Sequence, residues 1–463
     1  MKTFRLVHAR FAPLALVACV GGCGSSAASG PDGGGAGDAP ASVDGAVGVD
    51  ATAGGCDPVS PVDGLTLHVN PIDGDDTAGT GSGSAGGVAR ATCAFRSITR
   101  AADVAGVLAK TSMKIVVDVT ASVGTGETFP IAIPPDTTLS PGPGALVAVV
   151  VGSGDGLHLQ GGSSAVESLV VDGQNAAANG VVVTAGPTRL AGVEVRGFTS
   201  AGVRADVGAQ LTITARANLH DDGAGLVATG TAAVSIDGVD ATEQQPTRIA
   251  ANGGHGIEVR GSARVDVTGT PSSLTPGAGT VVVADNTLDG VVVEQVLVAQ
   301  GAPGPAGMMM TGLVATRNGG SGLHVFGGSG VKVRGSYLSH NGLHGVFVQT
   351  DPDFISGGAG ANDGNDIGRI DLGVGGDPGH DVLVDNASPN AKKGVCLEVT
   401  SGSGLNGPLN LMGNVFATGG SSVDCAQIAG SLPATGDCTA AGPLGDVGRN
   451  PKNDLNVSLC VVP

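Results

Sequence analysis

Two clusters in the chain carry the residue types of acid–base chemistry. His220-Asp221-Asp222-Gly223 sets adjacent carboxylates beside an imidazole, and Gly254-His255-Gly256 holds a second imidazole between glycines. Groups of this kind can divide the work of glycoside hydrolysis, one carboxylic acid protonating the leaving oxygen while another carboxylate activates water. A third cluster, Asp73-Gly74-Asp75-Asp76, alternates carboxylates with glycine, as does Asn362-Asp363-Gly364-Asn365-Asp366. Oxygen-rich loops suit calcium, although neither has the glutamate at the twelfth position that completes an EF-hand loop. Calcium at Asp73, Asp75 and Asp76 is therefore the one cofactor to test, and Asx-rich turns without metal are the commoner outcome.

The elements that must position these groups repeat. Gly156-Leu157-His158-Leu159, Gly180-Val181-Val182-Val183, Gly202-Val203-Arg204-Ala205, Gly225-Leu226-Val227-Ala228, Gly256-Ile257-Glu258-Val259, Gly290-Val291-Val292-Val293, Gly322-Leu323-His324-Val325, Gly345-Val346-Phe347-Val348 and Gly394-Val395-Cys396-Leu397 are one motif. Its basic step is 22 to 24 residues, lengthened by insertions in some units. A fixed step of this size means a solenoid, in which each unit buries its apolar face against its neighbours. The first and third positions after each glycine are aliphatic and the middle one varies, the alternation of a strand with one buried face. A second strand per unit is visible in Val193-Glu194-Val195, Leu211-Thr212-Ile213, Val265-Asp266-Val267 and Val331-Lys332-Val333. The chain is predicted to be all-β, a right-handed parallel β-helix of 22–24 residues per coil. A β-sandwich would instead need hairpin turns and would show no constant step.

Composition agrees. Gly 82 of 463, one tyrosine and no tryptophan suit a coil with small residues at its corners and aliphatic stacks inside. The phase of the repeat also bears on the acidic cluster. Asp221 stands four residues before its glycine, as Asn252, Asn286, Asn318 and Asn341 do, so all five read as one bend position that tolerates left-handed backbone. His255 precedes its glycine as Ala224, Asp289, Ser321 and His344 precede theirs. This periodicity favours a structural role for Asp221, Asp222 and His255 over catalysis.

The first 23 residues have the layout of a secretory signal peptide, with Lys2, Arg5 and Arg10 before an apolar run from Phe11 to Val20. Val20-Gly21-Gly22-Cys23 resembles the lipobox of bacterial lipoproteins. Cys23 is the preferred lipid attachment site and Cys19, in Leu16-Val17-Ala18-Cys19, the alternative. Residues 24–55, rich in Gly, Ala, Ser and Asp, read as a disordered tether with a reach of roughly 30 Å. Residues 56–143 should form an N-terminal cap and the first coils, 144–400 the repeats, and 401–463 the last coils and a disulfide-rich cap. The six remaining cysteines, Cys56, Cys93, Cys396, Cys425, Cys438 and Cys460, are candidates for disulfides at the two ends. No close C-x-x-C pair suggests zinc.

Leu67-His68-Val69-Asn70-Pro71, Asp73-Gly74-Asp75-Asp76 and Phe95-Arg96-Ser97-Ile98-Thr99-Arg100-Ala101 resemble the opening of pectin-lyase-like β-helix proteins, which implies a short capping helix before the first coil. Gly126-Glu127-Thr128-Phe129-Pro130-Ile131 with Ile133-Pro134-Pro135, and later Asp371-Leu372-Gly373, Pro378-Gly379 and Gly413-Asn414-Val415-Phe416, are similar to a domain-of-unknown-function family of β-helical surface lipoproteins. That resemblance implies fold and cell-surface location and brings no reaction. The Asp221-Asp222 pair and Gly254-His255-Gly256 resemble the acidic pair and Gly-His-Gly of polygalacturonases. The upstream Asn-Thr-Asp and downstream Arg-Ile-Lys of that family are missing, which leaves a hydrolase reading weak.

The net charge of -18 repels polyanions, so nucleic acid is not an expected partner. Only Tyr337 and nine phenylalanines are available as stacking faces for sugars. The expectation is a monomer, exported and lipid-anchored to the outer membrane or cell surface, whose N-terminal lipid sits in the membrane. It acts as a binding or structural module for surface polysaccharide or protein, with a polysaccharide lyase or glycoside hydrolase of the pectin-lyase-like type as the alternative.

Overall fold

The computed structural model describes residues 55–85, 87–214, 216–238, 245–270, 279–295, 307–326, 329–349, 369–374, 376–384, 386, 394–400, 409–411, 413–415, 421–424, 434–435, 437–440, 447–448 and 456–459. Cys19, Cys23, Cys425, Cys460 and the Asn362–Asp366 loop lie outside them, as do the side chains of Cys396 and Cys438.

The glycine-led strands stack in parallel register, Val181 on Leu157, Val203 on Val181, Leu226 on Val203, and so on to Val395 on Val346. One further coil precedes them, with Ile131 paired to Leu157. Each coil carries three strands, not two. In one coil these are Thr188–Ala191, Glu194–Arg196 and Ala201–Ala205, and each joins a different sheet. Among the described residues the first sheet has 13 strands, the second 9 and the third, which contains the glycine-led strands, 12. The sequence-level second strand merged two of these: Val193-Glu194-Val195 belongs to the second sheet, whereas Leu211–Ile213, Val265–Val267 and Val331–Val333 belong to the first. In coils such as Thr188–Arg196 and Val331–Ser339 only two residues separate first and second strands, so no turn signal divides them there. The fold is a right-handed parallel β-helix.

The interior is a column of aliphatic side chains: Leu157, Val181, Val203, Leu226, Ile257, Val291, Leu323 and Val346 are all 0% exposed. Helix α1 (Ile98–Leu108) packs on the first coils through Ile98, Ala101, Ala102 and Ala105. Ser97 caps it, accepting the N–H of Arg100. Glu127 accepts the N–H groups of Ile98 and Thr99 at 2.8 Å each, a carboxylate at the positive end of the helix. Among the described residues no helix is long and apolar enough to cross a membrane. Cys56 and Cys93 form a disulfide at this end. In the last residues the parallel winding gives way to antiparallel pairing, Asn456–Leu459 lying against Val395–Thr400.

An asparagine ladder explains the recurring glycine. At the corner between second and third sheets, Asn252, Asn286, Asn318 and Asn341 each accept, on Oδ1, the backbone N–H of the ladder residue one coil earlier, and Asn386 does so for Asn341. Each Nδ2 donates to a carbonyl of that earlier coil: Leu219, Ile249, Val283, Ala315 and Leu338. The amides pack against the glycines. A Cβ on Gly290 would stand 2.7 Å from Nδ2 of Asn318, and one on Gly322 2.7 Å from that of Asn341, closer than carbon and nitrogen can approach.

The ladder also corrects the phase of the acidic pair. The left-handed corner residues are Asp221, Ala251, Asp285, Arg317 and His340, and Asn252, Asn286, Asn318 and Asn341 each follow one of them. Asp222, not Asp221, therefore occupies the ladder position, its N–H donating to Asn252 and its Oδ1 accepting from Phe198. This coil has one residue fewer between ladder and glycine, which is why counting back four residues selected the wrong aspartate.

Candidate functional site

The fold sends Asp221, Asp222 and His255 to three different surroundings. Asp221, with a side chain 63% exposed, is paired with His220 at 2.8 Å. With Asp172, Asn175, Arg196, Gly197 and His220 it lines a shallow cleft of about 480 Å³. Asp222 is 2% exposed. Among the described residues its Oδ2 has no hydrogen-bond partner, and burial pushes its carboxyl up to about 8 against the pull of the Phe198 N–H, Asp221 adding to the rise. A buried neutral acid facing the core cannot serve a substrate outside it. His255 turns to the outer face of the third sheet.

Two of the three candidate calcium ligands, Asp75 and Asp76, accept backbone N–H groups. Oδ1 of Asp75 accepts from the N–H groups of Thr77 and Ala78 and from the Thr77 hydroxyl, the last at 2.6 Å, which holds its carboxyl down at about 2. Oδ1 of Asp76 accepts from Arg96 and Ser97 ahead of α1, and the Asp73 N–H donates to Asn70. Among the described residues no three metal-ligating side chains converge on one point. Arg334, on the first sheet, is 8% exposed and bound to Asp371 at 2.7 Å and Asp377 at 2.9 Å.

The constellation that does form lies on the outer face of the third sheet, where His255 meets Asp289 of the next coil and, through it, His324 of the coil after. Asp289, 9% exposed, accepts the Ser321 N–H on Oδ1 at 2.6 Å. Its Oδ2 lies 3.2 Å from Nδ1 of His324 and 3.5 Å from Nδ1 of His255. Burial alone would raise the Asp289 carboxyl, but His324 and the Ser321 N–H hold it below the ordinary carboxylate range. His255 is shifted down by burial, with Asp289 and Glu258 opposing. Its Nδ1 accepts the Asp289 N–H at 3.3 Å, so the proton of the neutral ring sits on Nε2. On the far side of His324, Nε2 lies 3.1 Å from the Gln349 amide oxygen.

Beside these polar groups the rings gather. His324 stacks on Phe326 with centroids 4.7 Å apart and leans on Phe347 at 4.6 Å, while His344 lies 5.4 Å from Phe347. All four come from adjacent coils, paired His324 on Phe347 and Phe326 on Gln349. Asp289 is wired on both oxygens, so the arrangement holds the rings in place and offers Nε2 of His255 as a donor. It suits recognition more than proton transfer.

Asp289, His324, Phe326, His344, Phe347 and Gln349 were not singled out in the sequence. His324 and Phe347 are the variable middle residues of their motifs, and Asp289 and His344 stand at the repeat phase of His255, which favoured a structural reading of His255. In a β-helix a shared phase is what makes neighbours: residues at one repeat position stack roughly 4.8 Å apart. Reading the coils as columns finds this site.

No family model matches the chain, and no curated protein matches it. Two solved structures are similar in backbone. The A-module of the Azotobacter vinelandii mannuronan C-5 epimerase AlgE4 is 16% identical, with a TM-score of 0.39 over 66% of this chain and 92% of that one. The A-module of AlgE6 from the same organism is 15% identical, with a TM-score of 0.44 over 75% of this chain and 94% of that one. Both likenesses are too distant to carry residue roles, and the three stacked sheets alone place this chain among right-handed parallel β-helices.

Proposed function

We propose that the chain is an exported, lipid-anchored β-helix that binds a neutral surface glycan across the outer face of its third sheet. The observation that supports this is the platform of His324, Phe326, His344 and Phe347, since sugar rings pack their C–H faces on flat aromatic surfaces and their hydroxyls take fixed donors such as Nε2 of His255. It draws two of only nine phenylalanines in the chain to one spot. The hydrolase or lyase alternative gains nothing from Asp221 and Asp222, which face away from His255.

Titrating the full-length protein with a panel of soluble neutral glycans by calorimetry tests the reading. Phe347→Ala and His324→Ala are expected to weaken the best ligand by roughly threefold to tenfold each, whereas Thr212→Ala, outward on the first sheet, leaves affinity unchanged. Equal losses from all three, or no binding in the parent, would sink it. Release of reducing ends or unsaturated products by the parent, abolished in His255→Ala, would turn the reading toward the enzyme.

The anchor has its own test. In a bacterial host, Cys23→Ser should move most of the protein from the membrane fraction to the soluble fraction. Release on Cys19→Ser alone would move the attachment to that residue, and retention of both variants would remove lipidation from the proposal.

A further inference from the structure

A second site lies over the outer face of the second sheet, away from the platform. Ser168, Gly192, Glu194, Arg216, Asn218, Gln245, Pro246 and Arg248 line a cleft of about 530 Å³. Glu194, Asn218 and Arg248 stand in one column, paired across three successive coils. Glu194, the carboxylate of this lining, is already engaged by Arg196 at 2.7 Å and His220 at 3.3 Å. Arg248 is left over. Every other arginine among the described residues has a hydrogen-bond, ion-pair or ring partner, and Arg248 has none among them. This happens in a chain with Asp+Glu 41 against Lys+Arg 23, where carboxylates are plentiful. A half-buried guanidinium without a counter-charge has lost part of its hydration for nothing in return unless something else fills the cleft.

We infer that this cleft is an oxyanion-binding site, taking a carboxylate, sulfate or phosphate group between the guanidinium of Arg248 and the side chains of Asn218, Gln245 and Arg216. The donor set fits that chemistry: the guanidinium presents paired N–H groups in the spacing of two oxyanion oxygens, and the two amides and the Ser168 hydroxyl add neutral donors around it. The overall negative charge keeps affinity low and makes it salt-sensitive.

The test is thermal melting of the full-length protein at fixed ionic strength, with chloride replaced in turn by phosphate, sulfate, galactose 6-sulfate and, as a neutral control, galactose. A ligand bound only by the folded state raises Tm. Sulfate and phosphate also stabilise proteins by exclusion from the surface, so the diagnostic is the difference between variants. Arg248→Gln should keep the parental Tm in chloride and lose the extra increment in the anions. Asn218→Asp, which places a carboxylate beside Arg248, should weaken anion binding by about tenfold and serves if Arg248→Gln folds poorly. Equal increments in parent and both variants, or no increment in the parent beyond that of a paired-arginine control such as Arg189→Gln, would overturn the site. A larger response to galactose 6-sulfate than to sulfate assigns the anion to a sugar, and an equal one to a free ion; both uphold the oxyanion chemistry.

Discussion

Val259→Asp is expected to abolish stable folding, whereas Glu258→Ala, its immediate neighbour, shifts stability by roughly 0.5 kcal/mol. Val259 is 0% exposed and sits in the interior column between Ala228 and Val293 of the adjacent coils. A carboxylate there has apolar side chains around it and no partner, at a cost on the order of 5 kcal/mol. That is comparable to the whole stability of many domains. Because each coil is held by its neighbours, the damage spreads to both flanking units. Glu258 points outward beside Arg260, where an ion pair contributes little. The check is the urea midpoint of both variants against the parent, with the slope monitored for loss of two-state behaviour. Similar losses from the two would mean that the strand presents its other face to the core.

Asp222→Asn is expected to stabilise the protein, and the gain should grow with pH. In the ladder, the Asp222 Oδ2 occupies the place that Nδ2 takes in Asn252, Asn286, Asn318, Asn341 and Asn386, where it donates to a carbonyl one coil earlier. An oxygen there can donate only when protonated, and burial accordingly raises the group to about 8 from its ordinary 3.8. A folded state that holds its proton more tightly than the unfolded chain is favoured at low pH. The contribution is complete below pH ~4 and falls as pH rises toward ~8. Asparagine needs no proton and supplies the missing donor, so the variant should gain little at pH 4 and on the order of 3 kcal/mol near pH 8. Denaturation midpoints across that range decide it. The parent should lose stability as pH rises and the variant should lose less; identical slopes would mean that Asp222 is not a buried acid. Part of the slope should survive from Asp381, which is 0% exposed, has an Oδ2 without a partner among the described residues, and is raised well above the ordinary carboxylate value by burial. It occupies a similar stack at the first corner, accepting from Ser336 and donating to Asn414. Asp221→Asn, by contrast, changes an exposed residue and should be close to neutral.

The ladder shows how far the sequence could be read. The asparagines and glycines were visible as a period, and so was their alliance, but the reason for the glycine was not. It is a contact between one coil's Cα and the next coil's amide, 19 residues apart for Gly322 and Asn341 and 28 for Gly290 and Asn318. The slip from Asp222 to Asp221 has the same origin. Spacing was counted along the chain, whereas position in a β-helix is set by the coil above, and a single shortened corner separates the two measures.

The sequence by itself determined the solenoid, its step, the inward and outward faces of the glycine-led strands and a cysteine pair near the start, because each follows from local alternation and from a pattern repeated often enough to survive insertions. What only the tertiary structure decided was neighbourhood. Asp289 lies 34 residues from His255 and 35 from His324, and Arg248 stacks on Asn218 from the next coil. No motif in the chain marks these groups as companions. They meet because hydrogen-bonded coils stack in fixed register, and that register converts a shared repeat phase, uninformative along the chain, into contact at a few ångströms.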